Sequence, residues 1–166
     1  SLFNEDIDFY QMDAHELEFE DETFDLIITR NVTWNLERPI EAYEDWYRVL
    51  KPNGKLMNFD ANWYGYIHDE EKKEEFEQNR LHSLKVNGDD NFDNIDCQKV
   101  DTNVMENIAH RLPLSKIERP KWDQYVLDDI GYDSIKVDCG IGNRIWHEGE
   151  QIKYKSTPMF MICARK

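Results

Sequence analysis

The apolar period changes several times along the chain, and each change marks an element. "IDFYQMD" (7–13) alternates apolar and polar residues and ends on Asp13, which predicts a short strand. "AHELEFEDET" (14–23) is an acidic loop. "FDLIITR" (24–30) has a continuous β-branched centre, which predicts a strand buried on both faces of a parallel sheet. "NVTWNLER" (31–38) leaves that strand, and Pro39 is well placed as the first residue of a helix. Ile40, Tyr43, Trp46, Tyr47 and Leu50 then recur at helical spacing. Lys51, Pro52, Asn53 and Gly54 stop that helix in a turn, and "KLMNFD" (55–60) is the next strand. Strand, helix and strand with short links predict a right-handed crossover and parallel pairing.

Downstream the pattern is more polar. Residues 69–86 favour a helix with a narrow apolar stripe of Phe76, Leu81 and Leu84, residues 87–97 read as loop, and residues 101–112 as a weaker helix. Lys121 to Ile130 is a helix with Trp122, Tyr125, Val126 and Ile130 on one face, and Gly131 ends it in the left-handed conformation. "DSIKVDC" (133–139) and "MFMICARK" (159–166) are two further strands, joined by a stretch long enough for a hairpin. The predicted class is α/β, one domain over 1–166 with a helical insertion at 66–118 as its only subdomain candidate.

Composition narrows the function. Apolar residues make up 40% of the 166, with large aromatics enough for a real core. A formal net charge of −15, with no Lys/Arg cluster, disfavours nucleic acid and anionic lipid as partners. No apolar run approaches the ~20 residues of a membrane span. Cys97, Cys139 and Cys163 have no metal-type spacing, and His68, His82, His110 and His147 are scattered, so no metal site is expected. Free thiols fit a reduced, cytoplasmic setting. The chain opens Ser-Leu-Phe without Met, which suggests a piece of something longer.

Three stretches carry a family likeness. "MDAHELEFEDETFDLIITRNVTWNL" holds an Asp-Ala loop, an acidic spacer and a Phe-Asp strand opening. "RPIEAYEDWYRVLKPNGKLMNFD" holds an Arg-Val-Leu-Lys-Pro-x-Gly turn between helix and strand. Gly131-Tyr132 precedes "SIKVD". Together they resemble the C-terminal part of a class I S-adenosylmethionine-dependent methyltransferase of the small-molecule type. The likeness is close over 7–64, loose over 120–166, and elsewhere amounts to a variable helical cap. It implies an incomplete Rossmann-like sheet of strands three to seven, mostly parallel with an antiparallel last strand. The Gly-rich first motif and the acidic residue ending strand two have no counterpart here. "CGIG" (139–142) does not replace them, because no helical pattern follows it, and it reads as a turn between strands.

The resemblance implies roles for residues at the carboxyl ends of the strands, where open α/β sheets bind ligands. Asp13 and Ala14 would meet the adenine of S-adenosyl-L-methionine. Arg30, Asn31, Val32 and Trp34 would run past its methionine portion, with Trp34 covering the sulfonium. Asn62, Trp63 and Tyr64 would face a small-molecule methyl acceptor under a lid formed by 66–118. His15 and Asp60 are the candidate bases, although in-line methyl transfer needs alignment more than a base.

The expected activity is therefore methyl transfer by the longer parent. The fragment alone is expected to be inactive and to show no measurable cofactor affinity. The alternative is a binding or regulatory module that kept the fold without the cofactor site. A hydrolase is disfavoured by the absence of a Gly-x-Ser-x-Gly elbow. An unpaired edge on 24–30 predicts pairing, either as a homodimer or by residues 7–13 docking on it.

Overall fold

A computed structural model describes residues 7–87 and 102–166. The expected loop at 87–97 lies almost wholly outside them. The described elements are β1 (Phe24–Arg30), α1 (Pro39–Val49), β2 (Leu50–Asp60), α2 (Glu70–Asn87), α3 (Thr102–Ala109), α4 (Lys121–Ile130), β3 (Asp133–Asp138), α5 (Gly142–Ile145), α6 (Glu148–Lys153) and β4 (Phe160–Arg165). The strands form one sheet in the order β1-β2-β4-β3. β1 and β2 are parallel, as the short crossover requires, and β4 runs antiparallel to both β2 and β3. Asp60 pairs with Phe160 and Asp138 with Met161, so the ends of β2 and β3 and the start of β4 share one rim.

Period-two alternation decides what each face buries. Leu56, Asn58 and Asp60 on β2, with Phe160, Ile162 and Ala164 on β4, point to one face and are buried. Tyr43, Trp46 and Leu50 from α1 and its end, and Val126 and Leu127 from α4, pack against them. A second cluster of Ile141, Trp146 and Met159 takes up Phe59, Trp63, Tyr154 and Met161 on the other face.

Four expected strands and the helices over 39–49, 70–87, 102–109 and 121–130 form as the pattern indicates. Four details differ. Residues 7–13 form no strand; Asp13 makes only an isolated bridge to Glu16. The segment joins no ladder, and Ile7, Phe9 and Tyr10 are 75%, 90% and 65% exposed. It therefore does not dock on β1, whose outer edge has no strand partner among the described residues. β1 is covered on one face only: Ile27 packs on the core, while Leu26 and Ile28 stay exposed. On the helices, Ile40 and Tyr125 face solvent, and Ala42, Val49 and Leu127 take the buried positions. Residues 142–145 and 148–153 are short helices rather than a plain turn. His147 caps the second reciprocally with Glu150, a capping box in which His replaces the usual Ser or Thr.

The Pro-Asn-Gly turn lies inside β2. Phe24 pairs with Leu50 but Leu26 already pairs with Lys55, so 51–54 loop out of register. Asn53 takes φ 67° there. A Cβ at Gly54 would lie 2.8 Å from the Lys51 carbonyl oxygen and 3.1 Å from that of Phe24. Both are backbone atoms that cannot swing aside. Gly54→Ala is expected to destabilise by about 1–3 kcal/mol, read as a lower urea midpoint at unchanged slope. An unchanged midpoint would show that the β1–β2 junction relaxes freely.

Candidate functional site

The rim is organised by a buried charge network. Asp60 ends β2 fully buried. Its Oδ1 accepts from the Ala61 N–H at 2.9 Å. Its Oδ2 accepts from the Trp34 N–H at 2.8 Å and from Arg119 Nη1 at 2.8 Å. Arg119 also grips Asp123 through Nε at 2.9 Å and Nη2 at 2.8 Å. Asp123 accepts from the Tyr43 hydroxyl at 2.7 Å, and Tyr43 accepts from Asn58 at 2.8 Å. Burial pushes the Asp60 carboxyl above its ordinary pKa, with the Arg119 guanidinium pulling against that rise. Burial likewise raises the Tyr43 phenol.

This network binds two rim segments together. The turn Thr33–Asn35 after β1 is held through Trp34 to Asp60. Beyond Asp60 the chain continues into Asn62, whose Nδ2 donates to the Arg119 carbonyl at 3.0 Å. Asn31 sits at φ 56°, and its carbonyl accepts from the Trp34 indole at 3.1 Å. The Trp34 and Tyr64 rings lie 5.3 Å apart. Arg30 is exposed and Val32 half-buried against the core. Trp63 turns away: its ring meets Tyr154 edge-on at 5.3 Å within the second cluster.

Asp13, Ala14 and His15 stand beside the start of α1. Asp13 Oδ1 accepts from the His15 N–H at 2.9 Å and from His15 Nδ1 at 2.6 Å, which lowers the carboxyl pKa. Its Oδ2 is only 3.7 Å from Arg38. The Arg38 N–H donates to His15 Nε2 at 3.3 Å, so the proton sits on Nδ1 and both ring nitrogens are engaged. Trp46 Nε1 donates to the Ala14 carbonyl at 2.9 Å and ties this loop to α1. Arg48 clamps the following acidic stretch, donating to the carbonyls of Leu17 at 2.8 Å and Phe19 at 2.7 Å.

A cleft of about 210 Å³ opens on the same rim, lined by Asn62, Tyr66, Glu75, Phe76, Cys139 and Ser156 among others. Tyr66 stacks on Phe76 at 4.0 Å and donates to Glu106 at 3.0 Å. Of the residues expected at an acceptor site, Asn62 lines the cleft and Tyr64 adjoins it through Tyr66, at 6.0 Å between rings. Arg119, Tyr66 and Ser156 were not singled out from sequence, and Phe76 only as part of a helical apolar stripe. Arg119 carried one available signal, its i,i+4 spacing to Asp123 across the start of α4.

Two histidines meet between residues 66 and 118. His68 meets His110 edge-on at 5.1 Å. Burial first, then Lys116 and His110, lower the His68 pKa. A lowered histidine stabilises fully above its unfolded value of about 6.5 and loses that contribution as pH falls through the folded one. Protection factors over 65–68, which discount the intrinsic slowing of amide exchange in acid, are expected to fall modestly between about pH 7 and pH 5, and His68→Asn to flatten that dependence. An identical profile in the variant would remove the histidine from the account.

Among the described residues, no helix is long and apolar enough to cross a membrane, and no side-chain group gathers as a metal site. Residues 1–58 match the family described as the methyltransferase domain. Over 51 residues the chain is 45% identical to the ubiquinone/menaquinone biosynthesis C-methyltransferase of Ruegeria sp. (strain TM1040), covering 31% of this chain and 20% of that protein. In fold it is similar to a phosphoethanolamine N-methyltransferase 2 of Haemonchus contortus, solved with S-adenosyl-L-methionine, at TM-score 0.52 and 13% identity. That likeness covers 93% of this chain and 36% of the other. It is also similar to an S-adenosylmethionine-dependent methyltransferase from Archaeoglobus fulgidus, at TM-score 0.52 and 15% identity, covering 95% of this chain and 66% of that one. The likeness to class I methyltransferases and the Rossmann-like α/β class both stand, while this chain spans a fifth of the curated relative's length.

Proposed function

We propose that these residues form the acceptor side, and part of the cofactor side, of a methyltransferase that uses S-adenosyl-L-methionine on a small molecule. The observation that carries this reading is the Asp60 junction. One carboxylate holds the Trp34 turn and opens the Asn62–Tyr64 segment beside the cleft, so both halves of the rim are one rigid surface.

The residues present fit a nucleoside ligand. Asp13 keeps Oδ2 largely free beside the Ala14 backbone, an acceptor next to a potential donor, as the amino edge of adenine requires. Trp34 offers an aromatic surface to a sulfonium. When bound, S-adenosyl-L-methionine supplies an activated methyl group. The chain supplies alignment. His15 and Asp60 have their acceptor positions occupied by backbone and Arg119 donors, so both act as positioning groups in this reading, and no base is invoked.

The test is a titration of the isotopically labelled chain with S-adenosylhomocysteine. Shifts concentrated at the Asp13 and Ala14 amides and the Trp34 indole are expected, at an affinity too weak for micromolar calorimetry. Asp13→Asn should remove the first pair of shifts. Perturbation confined to other surfaces, or none at near-saturating ligand, would overturn the reading and favour a module without the cofactor site.

A further inference from the structure

The cleft has a definite hydrogen-bonding sign. Asn62 Nδ2 is committed to the Arg119 carbonyl, which can only accept, so the amide orientation is fixed and Oδ1 is left as an acceptor on a residue that lines the cleft. That Oδ1 is buried with no partner, and so is Ser156 Oγ. Glu75, on the exposed side of α2, adds a carboxylate with no partner among the described residues. Two cations also line the cleft, the buried Arg119 and the half-exposed Lys72. Arg119 is wholly taken up by Asp60 and Asp123. Lys72 Nζ lies 3.9 Å from Asp69 and also acts on Glu118. The aromatic wall is the Tyr66–Phe76 stack, whose Tyr66 hydroxyl is turned toward Glu106.

Unmet acceptors, a free carboxylate and aromatic rings together describe a receptor for a cation that donates hydrogen bonds. We propose that the cleft binds a small organic ammonium, a protonated amine or quaternary nitrogen carrying a short polar arm. The aromatic wall attracts the cation, Glu75 supplies the opposite charge, and Asn62 and Ser156 receive the arm's donors. The net charge of −15 favours approach of such a ligand over an anion. As an acceptor-class assignment it holds only for the amines, which must release a proton to solvent before the nitrogen lone pair can take the methyl group, since a quaternary nitrogen has no lone pair to methylate; it rests on the reading of the cleft as the acceptor site. As a binding site it does not.

The experiment follows the Tyr66 and Phe76 ring resonances of the chain during titration with choline. Its uncharged carbon isostere 3,3-dimethylbutan-1-ol, then acetate and inorganic phosphate, are titrated in parallel. Choline is expected to shift both rings and to bind about tenfold tighter than the isostere. Glu75→Gln, at an exposed helical position that leaves the core intact, should weaken choline about tenfold and leave the isostere unchanged. The proposal fails if the isostere binds as well as choline, if either anion moves the same rings, if Glu75→Gln is without effect, or if choline moves neither ring. Because S-adenosylhomocysteine is followed at Asp13, Ala14 and Trp34, ammonium binding without nucleoside binding would refute the methyltransferase reading alone. The reverse pattern would refute only this assignment.

Discussion

Replacing Arg119 by Met is expected to cost about 3–5 kcal/mol, because it strands two buried carboxylates. For a chain of this size the melting temperature should fall by roughly 10 °C or more. Arg119→Lys restores the charge but not the fork that grips Asp60 and Asp123 together, so it should recover only part of the loss. The pH dependence carries a sign. Burial raises the Asp60 pKa in the folded protein, so protonated Asp60 is favoured on folding, and its contribution declines as pH rises through the folded value. Without Arg119 that pKa climbs further. The deficit of the Met variant should therefore narrow between about pH 7 and pH 5. Chemical denaturation at several pH values decides this; a deficit constant with pH would show that Asp60 is not the stranded group.

Trp46→Ala is expected to cost about 3–5 kcal/mol and to act on the site as well as on the core. The indole is 3% exposed and packs edge-on against Tyr43 at 5.5 Å. It also donates to the Ala14 carbonyl, so its loss removes the tether of the Asp13–Ala14 loop to α1. Trp46→Phe should recover much of the packing and none of the tether. Hydrogen exchange over 13–17 separates the two contributions: it should rise in both variants, whereas the denaturation midpoint should fall far more in the Ala variant. Exchange at native rates in Trp46→Phe would show that the Asp45 and Arg48 contacts suffice to hold the loop.

These two residues show what the sequence made legible. Trp46 announces itself, because an aromatic at helical spacing from Tyr43 and Leu50 identifies the core face without further information. The same periodicity located α1 and α4, a β-branched apolar run located β1, the Pro-Asn-Gly turn located β2, and glycine at a helix end identified Gly131, whose backbone N–H closes on the Leu127 carbonyl at 3.2 Å. Arg119 announces little. A charged residue before a proline reads as surface, and only the fold brings Asp60, 59 positions earlier, against it. Trp63 shows the opposite failure: it directly follows Asn62 in a stretch that reads as one polar rim, yet packs into the second cluster. Residues 7–13 have the alternation of a strand, but alternation describes faces and does not say which edge a segment joins, and this one leaves the outer edge of β1 unpaired. Both lessons concern contacts between distant segments, which no local pattern encodes.

The strand order has a consequence for how the chain is made. β4 is the last strand in sequence, yet it lies between β2 and β3. During vectorial synthesis, both flanking strands therefore emerge with their facing edges bare, and the sheet closes only once residues 160–165 arrive. Such late, non-local closure slows folding and prolongs the interval in which nascent chains can pair with one another. A ribosome-stalled chain ending before Phe160 should accordingly remain protease-sensitive across β2 and β3, and gain protection there only when β4 is free to insert.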